Sequence, residues 1–138
     1  MRWLRFSVPA LALSGAVIAA ACSSDNGTNS TQQPIPPAGT YAITSITQSG
    51  VSLDTPLVSG QFILSAPNKY KVRILVTVPS PDSIVDSGTY NFSPPNNVTL
   101  NSTTAGAALA GTYSYDSTSG VLQVVVPSQS LKLNAKKQ

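Results

Sequence analysis

Several residue types that carry most of protein chemistry are missing from this chain. It contains no histidine, and all five acidic residues are aspartates, so glutamate is also absent. Its only cysteine, Cys22, excludes a disulfide within the chain. Without histidine, glutamate or a second thiol, the usual general bases, nucleophile partners and zinc ligand sets cannot be assembled. The composition therefore predicts a protein that is not an enzyme and that needs no metal or other cofactor.

Charged residues are scarce and nearly balanced. They make up 9% of the 138 residues, and two of the eight basic ones, Arg2 and Arg5, lie at the extreme N-terminus. The rest of the chain has six basic and five acidic residues, which is too little positive charge for a nucleic-acid footprint. Lys69, Lys71 and Arg73 alternate with apolar residues and are interpreted as one solvated strand face. Contact with acidic head groups or glycans is the alternative for this row.

The N-terminus lacks an apolar run long enough to span a membrane. Residues 6–21 are uncharged, but a spanning helix needs roughly 20 apolar residues. Basic residues, a short apolar run and small residues at its end are the three parts of a secretory signal. The sequence thus predicts a signal peptide at 1–21, with an uncleaved membrane anchor as the alternative.

The end of this run carries a recognisable pattern. Ala19-Ala20-Ala21-Cys22-Ser23 resembles the lipobox of bacterial lipoproteins. The resemblance implies that Cys22 becomes the mature N-terminus and carries acyl chains such as palmitate, which make the membrane a partner. Ser23 after the cysteine resembles an outer-membrane address in the bacterial envelope. An ordinary cut after Ala21, leaving a free thiol, is the alternative.

Residues 22–37 have almost no large apolar side chains. Ile35 is the only large aliphatic residue, and most of the others are serine, threonine, asparagine, glutamine and proline. Such a segment cannot bury enough surface to offset its ordering entropy. The composition predicts a disordered tether that holds the following domain away from the membrane.

The remainder predicts one β domain at 38–134, followed by a short tail at 135–138. Apolar residues alternate in runs such as 69–78 and 121–126, and proline, asparagine and glycine separate the runs. Gly-Thr-Tyr occurs at 39–41, 88–90 and 111–113, with Gly-Gln-Phe at 60–62. Each glycine is expected to permit a turn at the start of a strand. About eight short antiparallel strands follow, and short connections favour pairing in chain order.

The spacing of these triplets resembles small bacterial lipocalin-like domains. The resemblance implies an all-β fold, an up-and-down meander closed into a small barrel, and a β-sandwich is the alternative. Two features depart from the family. Tyr41 stands where lipocalins carry tryptophan, and no helix is expected at the C-terminus.

The aromatic residues of the alternating runs are the candidate interior or ligand-lining residues. They are Tyr41, Phe62, Tyr70, Tyr90, Phe92, Tyr113 and Tyr115. Asp82 and Asp86 lie beside two prolines and are interpreted as solvated loop acids. Two functions remain open: a lipid-anchored carrier of a small apolar ligand, or an envelope module that binds other proteins and has a filled core. The many large inward residues predict a mostly filled interior.

Overall fold

A computed structural model describes residues 32–78 and 80–138. The predicted signal peptide, Cys22 and most of the predicted tether lie outside these residues. Within the described part, no helix has the length and apolar character needed to cross a membrane.

The described chain is built almost entirely from β-strands. In chain order these are β1 (Gly39–Gln48), β2 (Val51–Asp54), β3 (Val58–Ser65), β4 (Lys69–Val76), β5 (Asp82–Ser93), β6 (Asn97–Ser102), β7 (Ala107–Asp116), β8 (Val121–Val126) and β9 (Leu131–Lys137). A single 3-10 turn, Pro127–Gln129, connects β8 to β9.

The strands pair in chain order and close into a barrel. From β3 to β9 each strand is antiparallel to the next, and β3 pairs with the first half of β1. β9 returns to pair with β1 along Tyr41 to Gln48, so the sheet has no open seam there. The predicted up-and-down barrel of eight strands is confirmed, and the sandwich alternative is wrong because one continuous sheet closes on itself.

The ninth strand, β2, was not predicted. It forms a hairpin with the second half of β1, in which Ser45 is opposite Asp54. Beyond this hairpin the chain leaves the barrel wall at Thr55–Leu57 before β3 begins. Val51 and Leu53 alternate with polar residues, but a mostly exposed strand of four residues is too short for this pattern to identify it.

Side-chain alternation in β4 follows the sequence pattern. Tyr70 and Ile74 are buried in the barrel, whereas Lys69, Lys71 and Arg73 are exposed on the outer surface. The basic row therefore faces away from the interior, as the period of two requires.

Gly39 opens β1 as predicted, but the other two Gly-Thr-Tyr triplets have a different role from the predicted one. Gly88 and Gly111 lie inside β5 and β7, not at turns before them. A Cβ atom on Gly88 would collide with the backbone oxygen of Asn101, and one on Gly111 with that of Val125. These glycines let neighbouring strands approach closely where the barrel wall bends.

Two predicted boundaries are wrong. β9 extends to Lys137, and the amide of Gln138 donates to the Thr40 oxygen at 3.0 Å, so the predicted tail at 135–138 belongs to the barrel. Ala135 is fully buried opposite Ile43 in the closing seam. The region around Asp82 and Asp86, predicted as a loop, is the first half of β5.

Candidate ligand site in the barrel

The barrel has two ends that differ in their covering. We call the end with the turns after β3, β5 and β7 the closed end. The opposite end, with the turns after β1, β4, β6 and β8, is the open end. Every strand of the wall runs from one end to the other, so each contributes side chains to both halves of the interior.

Residues 33–37 lie across the closed end. The Gln33 amide donates to the Pro95 oxygen at 2.9 Å, and the Gln33 oxygen accepts from the Tyr113 hydroxyl at 3.1 Å. The Tyr41 hydroxyl donates to the Pro37 oxygen at 2.6 Å. The prediction of a disordered tether is therefore wrong for these residues, because buried tyrosine hydroxyls need hydrogen-bond partners and this segment supplies them.

Aromatic rings fill the interior behind this segment. The ring centroids of Phe92 and Tyr113 are 4.7 Å apart, and those of Tyr41 and Tyr115 are 6.3 Å apart. Both pairs are edge-to-face, an arrangement that aromatic rings favour. Burial raises the pKa of Tyr41 and of Tyr113, so both keep their hydroxyl protons.

The open half of the interior contains a cavity of about 250 Å³. Its wall consists mainly of inward aliphatic side chains from the strands around the barrel. These include Val72, Ile74, Leu100, Leu109, Val124, Val126, Leu131 and Leu133. Exposed residues of the open end, such as Thr104 and Gln129, form its rim.

The aromatic candidates divide between the two halves. Six of the seven are buried, and Tyr90 is partly buried against them. Only Phe62 and Tyr70 line the cavity, with ring centroids 6.0 Å apart. The remaining candidates fill the closed half, so the predicted filled interior holds for one half of the barrel only.

Asp86 lines the cavity, a position that the sequence did not predict. It lies on the inner face of β5, opposite Val72. The parity of Ile84, Asp86 and Tyr90 along one strand was the signal for this position, but the two prolines before Asp82 suggested a loop. Asp86 is therefore a half-buried cavity acid, not a solvated loop acid.

Three short hydrogen bonds hold the Asp86 carboxylate. The Tyr70 hydroxyl donates to Oδ2 at 2.6 Å, the Ser102 hydroxyl donates to Oδ1 at 2.7 Å, and the Ser87 amide donates to Oδ1 at 2.8 Å. Burial by itself would raise the pKa of Asp86, but bonds from Tyr70, Ser102 and Thr104 outweigh it and lower the pKa. The carboxylate is thus negatively charged at neutral pH.

Tyr70 donates the hydrogen bond to Asp86 Oδ2 and is the proton donor of the pair. Burial and the bond to Asp86 both raise the pKa of its phenol, so Tyr70 remains a proton donor. The pair has fixed roles over the neutral range, with a charged acceptor and a neutral donor.

The same carboxylate fixes the rim of the cavity. The Thr104 amide donates to Asp86 Oδ1 at 3.3 Å, and the Ala105 amide donates to Ser102 Oγ at 2.8 Å. Thr103 Oγ1 also donates to the Ser87 oxygen at 2.7 Å. The turn between β6 and β7 is therefore attached to β5 beside the cavity mouth.

A groove of about 360 Å³ adjoins the mouth between β2 and the β4–β5 connection. Gln48 and Ile84 line both the groove and the cavity, so the groove and the cavity adjoin each other. Several large apolar side chains of this end are exposed. They are Val51, Leu57, Val78, Ile84 and Val85.

The described residues contain no cluster of three or more histidine, cysteine, aspartate or glutamate side chains that could hold a metal ion. Comparison of the chain with models of known protein families, and with curated proteins, finds no match. The chemistry of the cavity is accordingly the basis for a functional proposal.

Proposed function

We propose that this protein is a lipid-anchored bacterial envelope protein whose lipocalin-like barrel binds a small apolar molecule. The observation that supports the proposal is the aliphatic cavity of about 250 Å³ in the open half of the barrel. A small barrel is just wide enough either to be filled by side chains or to hold one small ligand. Here the closed half is filled and the open half is not.

The cavity limits the size of the ligand. A cavity of roughly 150 Å³ lined by aliphatic side chains holds benzene, so this one would accept about ten non-hydrogen atoms. That is below the usual range of drug-sized pockets, which begins at roughly 300 Å³. Short-chain or single-ring molecules fit this volume, whereas long fatty acids would extend into the adjoining groove.

The predicted anchor is compatible with this site. The chain enters the barrel across the closed end through residues 33–37, and the cavity opens at the other end. A lipid on Cys22, with an outer-membrane location, would therefore hold the domain by the end that carries no cavity. The proposed role is binding without catalysis.

Octan-1-ol tests the proposed binding because it is uncharged and has about the right size for the cavity. The chain carrying Cys22→Ser avoids acylation and detergent, and calorimetry should show one saturable site. Val124→Phe directs a ring into the cavity from β8 and should abolish binding while cooperative unfolding is retained. Val125→Phe, its outward-facing neighbour, is the matched control and should bind normally. Absence of octanol binding to the parent chain would contradict the carrier function.

The anchor is tested separately. Intact-mass analysis of the membrane-extracted protein should show a diacylglycerol adduct on the chain that begins at Cys22. Cys22→Ala should remove the adduct and leave the protein soluble or unprocessed. A wild-type mass without added lipid would exclude this part of the proposal.

The exposed apolar residues at the open end favour a second candidate, an envelope module that binds another protein. Contiguous apolar surface of this kind often marks interaction sites. A photo-crosslinking residue at Val51 should then form protein adducts in intact cells, whereas one at Lys71 on the outer basic row should not. Adducts from Val51 in a chain that does not bind octanol would favour this second function.

A further inference from the structure

We infer that the ligand is a small amphipathic amine, with its apolar part in the aliphatic cavity and its cationic head against Asp86. This inference rests on the proposed binding function and specifies the chemical class of the ligand.

The charge of the cavity wall favours a cationic ligand. Among the described residues that line the cavity, Asp86 is the only charged one, and none is a lysine or arginine. The basic row of β4 is exposed on the outer surface. Hydrogen bonds from Tyr70, Ser102, Ser87 and Thr104 hold the carboxylate, but none of these donors carries a positive charge. A ligand cation would add the attraction between opposite charges.

The Asp86 carboxylate can accept a further hydrogen bond. Oδ1 accepts from Ser102, Ser87 and Thr104, whereas Oδ2 accepts only from Tyr70. A carboxylate oxygen has two lone pairs, so Oδ2 retains one for a further donor. An ammonium group offers three donors and a positive charge, which makes the resulting hydrogen bond charge-assisted.

Tyr70 is the positioning residue for this contact. It lies directly opposite Gly88 in the pairing of β4 with β5. A Cβ atom on Gly88 would be 3.2 Å from Tyr70 Cε1, so the glycine leaves space for the ring on the inner wall. From there the Tyr70 hydroxyl reaches Asp86 at 2.6 Å and orients the carboxylate.

The same geometry disfavours anionic ligands. A fatty acid would place a second carboxylate near Asp86, and like charges in a site of low polarity repel each other strongly. A neutral alcohol could donate one hydrogen bond to Oδ2 but brings no positive charge to attract the carboxylate.

Three probes with the same eight-carbon skeleton distinguish a cationic, a neutral and an anionic ligand. They are octylammonium, octan-1-ol and octanoate, and each is titrated at pH 7 into the purified protein that carries Cys22→Ser. Octylammonium should bind at least about tenfold more tightly than octan-1-ol, as expected for a hydrogen bond between charged groups. Octanoate should bind most weakly. Backbone amide shifts on adding octylammonium should concentrate at Ser87 and Ser102 and leave Thr118 at the closed end unchanged.

Asp86→Asn keeps the shape of the side chain but removes its charge. It should remove the preference for the amine, so that the ratio of octylammonium affinity to octan-1-ol affinity falls from at least about ten to about one. Asp82→Asn removes the same charge from the exposed start of β5 and is the matched control. It should leave all three affinities unchanged.

The outcomes separate the two proposals. If none of the probes binds, the carrier function itself is wrong. If octan-1-ol binds as tightly as octylammonium, or if Asp86→Asn keeps the amine preference, the carrier function stands and the amine inference is overturned. If Asp86→Asn does not fold, the probe series and the amide shifts of the parent chain decide, because neither requires the variant.

Discussion

The closed and open halves of the barrel are made by the same strands but have different interiors. In the closed half, rings such as Phe92 and Tyr113 pack edge to face, and residues 33–37 cover them. In the open half, aliphatic side chains surround the cavity of about 250 Å³. The comparison indicates that the closed half stabilises the fold and that the open half is available for a ligand.

The strands themselves show where one half changes into the other. On the inner face of β5, Ile84 and Asp86 precede Gly88, and the aromatic Tyr90 and Phe92 follow it. The inner face of β7 has the same order, with Leu109 before Gly111 and aromatic residues after it. The Gly-Thr-Tyr triplets at 88–90 and 111–113 thus mark the boundary between the open and the closed half.

The largest expected effect comes from a buried charge in the closed half. Val98 is 1% exposed, whereas Val51 at the open end is 63% exposed. Val98→Asp should leave no folded population, because an unpaired buried charge costs a large share of a total stability of about 5–15 kcal/mol. Val51→Asp, the same substitution, should change the free energy of unfolding by less than about 1 kcal/mol. Similar urea midpoints for both variants would contradict the assignment of the two halves.

A smaller difference is expected for leucine truncations on neighbouring strands. Leu122 is fully buried in the closed half, and Leu131 is partly buried beside the cavity. Leu122→Ala should cost about 3–5 kcal/mol, because it opens a new void in a packed region. Leu131→Ala widens a space that already exists and should cost about 1–2 kcal/mol. Urea unfolding measures both, and equal costs would mean that the halves are equally packed.

The smallest expected effect is the change of folding stability with pH. The pKa of Asp86 is lowered in the folded protein, so its ionisation stabilises the fold above the pKa of the unfolded chain and this contribution is lost as the pH falls. Wild type should therefore exceed Asp86→Asn in stability at pH 7, and the difference should shrink below about pH 4. Asp116→Asn at the exposed end of β7 is the comparison. Hydrogen bonds from Ser119 and Thr118 lower the pKa of this carboxylate too, but solvent screens it, so the change of stability with pH should be smaller there. A stability difference between wild type and Asp86→Asn that does not change with pH would contradict this role of the charge.

The sequence by itself determined the class of fold and the facing of most side chains. Apolar residues with a period of two define strands and their inner faces, because successive side chains point to opposite sides. That local rule was enough to predict about eight strands and the outward basic row of β4. Short connections predicted pairing in chain order, and the resemblance to lipocalin-like domains favoured closure into a barrel over a sandwich.

Only the tertiary structure decided which end of the barrel is filled, how far the wall extends and where Asp86 lies. A period of two gives the face of a residue but not the end of the barrel at which it sits. The seam joins β1 to β9 across most of the domain, so the inclusion of Ala135 and Lys137 depends on a partner remote in sequence. Asp86 was misassigned because the prolines before Asp82 indicated a loop, although its parity with Ile84 and Tyr90 marked an inner face. Its place beside the cavity depends on pairing with β4 and contact with Ser102, which are remote in sequence.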